Sequence, residues 1–149
     1  MVIRIEFSST LEMLDLVQSA SDQILRPLCL DEDTEQQVNV TIRESVINAI
    51  RHGNREDTNK RVFVEFSTED TADGCLLTIR VRDEGEGFDP ASVPDPRADE
   101  NLLKTGGRGM LMIRTFMDDV QLDTVSGGGT EIRMRKHIPV VPSAGKLPR

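Results

Sequence analysis

The sequence predicts an α+β fold: a two-layer α/β sandwich in which a mixed, mostly antiparallel sheet carries its helices on one face. Three observations carry the prediction. VIRIEF at 2–7, RVFVEFS at 61–67 and CLLTIRV at 75–81 have the two-residue apolar period of half-buried strands. Two helical patterns fall together between the first and second of these runs, so strand and helix do not alternate as in a doubly wound parallel sheet. The later strands follow one another across polar turns containing Asp73-Gly74 and Ser126-Gly127-Gly128-Gly129, which is hairpin chemistry.

Each element has its own signature. In the first strand Ile3, Ile5 and Phe7 face one way, Arg4 and Glu6 the other. Ser8, Ser9 and Thr10 offer N-caps for a helix, with Glu12 close behind. Leu11, Leu14, Val17, Ala20 or Ser21, and Ile24 recur at helical spacing, and Pro27 ends that helix or sits just past it. Asp31 to Asp33 supply a second N-cap region. The next helix runs from about residue 33 to His52, with Ile42, Val46 and Ala49 on one face and Gly53-Asn54 as its stop. Val62, Val64 and Phe66 form one inward strand set, and Leu77, Ile79 and Val81 another. Residues 83–107 then lose periodicity and collect Gly85, Gly87, Pro90, Pro94, Pro96, Gly106 and Gly107. A loop of that length inside a compact domain is functional or disordered. A short helix from roughly Arg108 to Met117 follows, its Met110, Met112, Ile113 and Phe116 reading as core. DVQLDTV and TEIRMRK make the closing hairpin.

The 149 residues make one domain, expected over 1–137, with 138–149 a disordered Pro-containing tail. The net charge of −8 argues against direct nucleic-acid binding, which needs a basic stripe. No run of about 18 apolar residues is present, so no membrane span is expected, and the first residues lack a signal-peptide pattern. Cys29 and Cys75 form no CxxC pair and are expected to be reduced, buried thiols in a cytoplasmic protein.

Four stretches are more polar or more Gly-rich than folding alone requires. ESVINAIRHGN, 44–54, sets Glu44, Asn48 and His52 in one row. On an ideal helix each four-residue step rotates by about 40°, so the row spans about 80°. It is either a solvent face or the wall of a site. A carboxylate can orient and deprotonate a nucleophile, and an amide oxygen one turn on suits a Mg²⁺ ion carrying phosphates. In RVRDEGEGFDP, 80–90, Asp83 follows a strand directly. A carboxylate there can accept from an exocyclic amine such as adenine N6, a charged hydrogen bond of about 1.5–3 kcal/mol, whereas guanine presents a carbonyl at that place. A plain acidic turn is the alternative; the EF-hand spacing is missing. In KTGGRGMLMIRTFMDDV, 104–120, Gly106, Gly107 and Gly109 open a helix whose free N–H groups could bind phosphate, with Arg108 adding charge. It is neither a Walker A loop nor a Rossmann fingerprint, and a flexible hinge is the alternative. Gly128-Gly129-Thr130 is either an ordinary hairpin or brings the Thr130 hydroxyl to the same pocket.

In this order the segments resemble the N, G1, G2 and G3 boxes of the GHKL ATPases, whose ATP-binding fold is the Bergerat fold. The resemblance spans about residues 8–136 and is nearest to the bacterial anti-sigma factor serine/threonine kinases. It implies that Glu44 is the catalytic base and that Asn48 binds the Mg²⁺ bridging the phosphates. It implies that Asp83 reads the adenine amine, with Gly85, Gly87 and Phe88 shaping that wall and His52 lining the pocket. Residues 89–107 become an ATP lid, stiffened at its start by Pro90, Pro94 and Pro96. Thr105, Gly106, Gly107, Arg108, Gly109 and Met110 become the phosphate cradle, and Thr130 closes the adenine side.

The function so implied is an ATP- and Mg²⁺-dependent kinase that sequesters a sigma factor and phosphorylates a serine of a STAS-domain anti-anti-sigma protein. Two other readings fit the same boxes: a nucleotide-gated binding regulator without turnover, and a detached histidine-kinase ATP-binding domain. The last has only His52 and His137 and no helical hairpin to present a phosphoacceptor. The first strand and first helix are a possible homodimer surface.

Overall fold

Alternation in the sequence becomes one five-stranded sheet. The computed structural model describes residues 1–86 and 108–140. Strands β1 (Val2–Ser8), β2 (Arg61–Thr71), β3 (Gly74–Arg82), β4 (Asp119–Thr124) and β5 (Thr130–Pro139) lie in the order β1-β2-β3-β5-β4. Every neighbouring pair is antiparallel, so the mixed component of the expected sheet does not occur among the described residues. Short loops explain two of the pairings, because parallel neighbours need a crossover of a dozen or more residues.

Thr71 pairs with Gly74, which makes Ala72-Asp73 the tight loop and places Gly74 already in β3. Gly74 serves a close approach instead: a Cβ there would lie 2.0 Å from the Ile138 carbonyl oxygen. Strand β5 runs to Pro139, past the expected domain end at 137, and the Val140 N–H donates to the Asp73 carbonyl at 2.8 Å.

Helices α1 (Met13–Leu25), α2 (Glu32–Asn48) and α3 (Arg108–Phe116) pack on one face of the sheet. Asp31 caps α2 as its position predicts, accepting from the Thr34 N–H at 2.7 Å. Such a cap contributes about 1 kcal/mol. No Ser or Thr caps α1. Glu12 stands at its N-cap without a side-chain bond, while the buried Ser9 N–H donates to the Lys60 carbonyl and so ties the β1–α1 corner to the chain before β2. Cys29 is exposed, not buried: it ends the short 3₁₀ turn Arg26–Leu28 in a left-handed conformation, φ 51°. Cys75 is partly buried, and burial raises its thiol pKa.

The core is the seam between the layers. Val38, Ile42, Val46 and Ile50 from the central helical run meet Val62, Val64, Phe66, Leu77 and Ile79 from the sheet, all at 1% exposure or less. Fully burying each such side chain contributes about 1.5–3 kcal/mol. Opposite positions on the strands carry charge instead. Across one row of the outer face run Arg4, Glu65, Arg80, Arg133 and Gln121.

The α-helical pattern of α2 stops at Asn48. Ala49–Gly53 form a π-helical turn, closed by the Asn54 N–H donating to the Ala49 carbonyl at 2.8 Å. Such turns are rare and concentrate at functional sites. His52 falls inside this turn and is exposed, so the ideal α-helical row of Glu44, Asn48 and His52 does not extend to it.

Candidate functional site

Asp83 is the most fully hydrogen-bonded side chain of the candidate residues described. It leaves the end of β3 with only 6% exposure. Its Oδ1 accepts from the Gly85 N–H at 2.9 Å and the Thr130 N–H at 3.1 Å, while its own N–H donates to the Thr130 carbonyl at 3.0 Å. Burial pushes its carboxyl above the ordinary value; the bonds from Gly85 and Thr130 and the charge of Lys60 pull the other way. Both of those N–H bonds reach Oδ1; among the described residues no hydrogen bond reaches Oδ2, which lies against Gly53. A ligand N–H at Oδ2 gains a charged acceptor already held in place.

Glycine is required around this carboxylate by space. A Cβ on Gly53 would lie 2.1 Å from Asp83 Oδ2, and one on Gly85 would lie 2.0 Å from the Gly53 carbonyl oxygen. One on Gly129, whose φ is +98°, would lie 2.1 Å from the Asp83 carbonyl oxygen. The end of the π turn, the 83–85 turn and the β4–β5 loop therefore touch backbone to backbone. Thr130 contributes through its backbone N–H and carbonyl.

The second half of the site lies along α2 toward α3. A Cβ on Gly109 would lie 2.7 Å from Glu44 Oε2, so the first turn of α3 approaches the Glu44 carboxylate closely. Asn48 is half-buried, and its amide nitrogen is buried without a partner. Arg108 is exposed at the first residue of α3, and Met110 is 4% exposed, which makes its side chain core. From Glu44 to Gly53 the helix advances nine residues, roughly 13 Å. That span separates the Asp83 carboxylate from the polar groups of Glu44 and Asn48. Gly87, Phe88, Thr105, Gly106 and Gly107 lie outside the described residues, as does the whole expected lid, 89–107.

Sequence reading missed two contributors. Gly53 reads as a helix stop, yet no left-handed φ is required there and the Asp83 carboxylate is what excludes a side chain. Asn54 reads as part of the same stop and is instead fully buried. Its position two residues past a polar helical row was the available signal. The outer sheet face carries a groove of about 590 Å³ bordered by Arg4, Phe63, Arg80 and Arg82, and none of the candidate site residues lines it. Among the described residues no cluster of three His, Cys, Asp or Glu side chains could hold a metal.

Known proteins resemble this chain in sequence and in fold. The model of the histidine kinase-like ATPase domain matches residues 7–136. The anti-sigma F factor of Heyndrickxia coagulans is 37% identical over 113 residues, covering 73% of this chain and 72% of that protein. The anti-sigma F factor of Clostridium beijerinckii is 31% identical over 148 residues, covering 92% of this chain and 94% of that one. In fold, the chain is similar to the RsbU and RsbW domains of Rv1364c from Mycobacterium tuberculosis, with a TM-score of 0.66 at 16% identity over 95% of this chain and 33% of that one. It is also similar to the catalytic domain of the histidine kinase ThkA, with a TM-score of 0.52 at 15% identity, covering 93% of this chain and 99% of that one. The four ordered boxes, the antiparallel sheet under three helices and these relatives agree: the chain belongs to the histidine kinase-like, or GHKL, ATPase family and groups with its anti-sigma factor members.

Proposed function

We propose that this chain is an ATP-dependent protein serine kinase that also acts as an anti-sigma factor. It holds a sigma factor inactive and phosphorylates a serine of a STAS-domain anti-anti-sigma protein. The observation that carries the reading is the paired construction of the site. A buried, N–H-anchored carboxylate stands at one end and an accessible carboxylate faces the start of a helix at the other.

In this reading Asp83 Oδ2 accepts the adenine N6 amine. Gly85, Gly87, Phe88 and Thr130 frame the base, and His52 borders the pocket from the π turn. Thr105, Gly106, Gly107, Arg108, Gly109 and Met110 contribute backbone N–H groups and one guanidinium to the phosphates, with the helix dipole of α3 adding to the field. Glu44 orients the attacking serine hydroxyl and takes its proton as the γ-phosphoryl group moves. Asn48 is half-buried on this wall, and its amide oxygen is the kind of hard ligand Mg²⁺ takes; the amide nitrogen, buried without a partner, is a donor left for a ligand oxygen. Bound there, Mg²⁺ would neutralise phosphate charge. Catalysis is then mainly positioning and charge stabilisation.

The protein works in the cytoplasm in this account; among the described residues no helix is long and apolar enough to cross a membrane. Edge strand β1, with Val2 58% exposed, and α1, with Leu16 58% exposed, form the homodimer surface. Incubation with γ-labelled ATP and a STAS-domain protein from the same organism tests the reading. Acid-stable phosphoserine on the STAS protein is expected. Acid-labile phosphohistidine would point to a histidine-kinase module, and tight ATP binding with no product would point to a nucleotide-gated regulator.

A further inference from the structure

Asn54 has no exposed surface, and every polar atom of its side chain is used. Its Nδ2 donates to the Arg61 carbonyl at 2.9 Å and its Oδ1 accepts from the Glu84 N–H at 2.8 Å. The Arg61 N–H in turn donates to Glu84 Oε1 at 2.6 Å. The three residues close a ring that joins the end of the π turn, the start of β2 and the turn after β3. A carbonyl only accepts and an N–H only donates, so the orientation of the amide is fixed by its partners.

The place of this ring matters more than its bond count. Asn54 is covalently attached to Gly53, whose Cα faces Asp83 Oδ2, and is hydrogen-bonded to Glu84, the residue after Asp83. It therefore grips both sides of the Gly53–Asp83 contact. The chain just beyond it holds Arg55 and Glu56 in left-handed conformations, φ 54° and 58°. L-residues adopt that region at a cost, and such strain persists only where surrounding contacts over-determine it. One such contact is present: the Glu56 N–H donates to the Ile50 carbonyl at 2.7 Å.

We propose that Asn54 is a positioning residue for base selectivity: it sets the height of the Asp83 carboxylate against the π turn and so tunes discrimination between ATP and GTP. The inference rests on the reading of Asp83 as the adenine acceptor. It touches no nucleotide atom; it acts through the Glu84 N–H and the Gly53 backbone. A carboxylate displaced by a few tenths of an ångström still presents charge, but no longer at the distance a single N–H bond requires.

Calorimetric titration of ATP and GTP, each with Mg²⁺, on wild type, Asp83→Asn, Asn54→Ala and the double variant tests this. Wild type should prefer ATP, and Asp83→Asn should lose the preference. Asn54→Ala should weaken ATP about tenfold while GTP changes within about twofold. In the Asp83→Asn background the same substitution should leave the ATP/GTP ratio unchanged. Asn54→Asp keeps an acceptor for the Glu84 N–H but sets a carboxylate oxygen against the Arg61 carbonyl, so it should lose selectivity as Asn54→Ala does. Should Asn54→Ala fail to fold, Asn54→Ser, too short to close the ring, takes its place with the same expectation. Equal weakening of both nucleotides by Asn54→Ala, or wild-type selectivity in Asn54→Asp, overturns the role of Asn54 while leaving the Asp83 reading intact. A wild type without ATP preference overturns both.

Discussion

Gly53→Ala sets two physical effects against each other. Gly53 closes a helical segment without a left-handed φ, so helix propensity alone predicts that alanine stabilises by about 0.5–1 kcal/mol. The added Cβ, however, would lie 2.1 Å from Asp83 Oδ2, 2.3 Å from Cγ and 2.9 Å from Cβ. Rotating the carboxylate clears the first contact but not the other two, so the whole Asp83 side chain must move. That movement strains the two N–H bonds that Oδ1 accepts, at 2.9 and 3.1 Å. Hydrogen bonds to a charged acceptor are each worth about 1.5–3 kcal/mol. Losing most of both exceeds the propensity gain by about 2–4 kcal/mol. In a domain of this size each kcal/mol moves the melting temperature by about 2–4 °C, so a drop of roughly 4–16 °C is expected. ATP affinity should fall at least about tenfold along with it. Differential scanning calorimetry and ATP titration measure the two. A variant that melts at or above the wild-type temperature and binds ATP normally would refute the argument that the Asp83 carboxylate forces glycine at 53.

Three further outcomes follow from the same geometry. Glu44→Ala should abolish phosphoryl transfer yet leave ATP affinity within a few-fold, read by paired transfer and binding assays; full activity would remove Glu44 from the chemistry. Asp83→Asn should raise the apo melting temperature at neutral pH, because it relieves a buried charge while keeping an oxygen for the Gly85 and Thr130 N–H groups. The Asp83 carboxyl is held above 3.8, so on acidification the folded state takes up that proton before the unfolded one. The wild-type penalty therefore shrinks as pH falls through the raised value toward 3.8, and melts across that window should converge. Removing Mg²⁺ with a chelator should weaken ATP at least about tenfold but leave adenosine unaffected, and Asn48→Ala should blunt that dependence.

Most of the sheet was legible because one buried face imposes a strict period. Val62, Val64 and Phe66, and Leu77, Ile79 and Val81, are buried as their alternation predicts. The Asp31 cap was legible for a similar reason, since a short acceptor before a helix has one cheap partner. The π turn was not. Ala49–Gly53 differ from an α-helical continuation only in which carbonyl each N–H reaches, and the residue types do not encode that offset. Ser8, Ser9 and Thr10 misled because the helix starts later, at Met13 with Glu12 at its N-cap, and Ser9 is buried at the corner instead. Within the site, Asp83 was visible from its strand-end position. Gly53 and Asn54 were not, because one glycine and one amide look alike whether they stop a helix or clamp a loop 30 residues away in sequence. Their role became readable only once β3 was placed beside the helix end.

A crystal structure with a non-hydrolysable ATP analogue and Mg²⁺ tests the central claim most directly. The account predicts the adenine N6 within about 2.7–3.2 Å of Asp83 Oδ2, the metal beside the Asn48 side chain, and the terminal phosphate on the Glu44 side of α3. A nucleotide seated elsewhere, such as the arginine-bordered groove on the outer sheet face, or an adenine amine with no contact to Asp83, would contradict it.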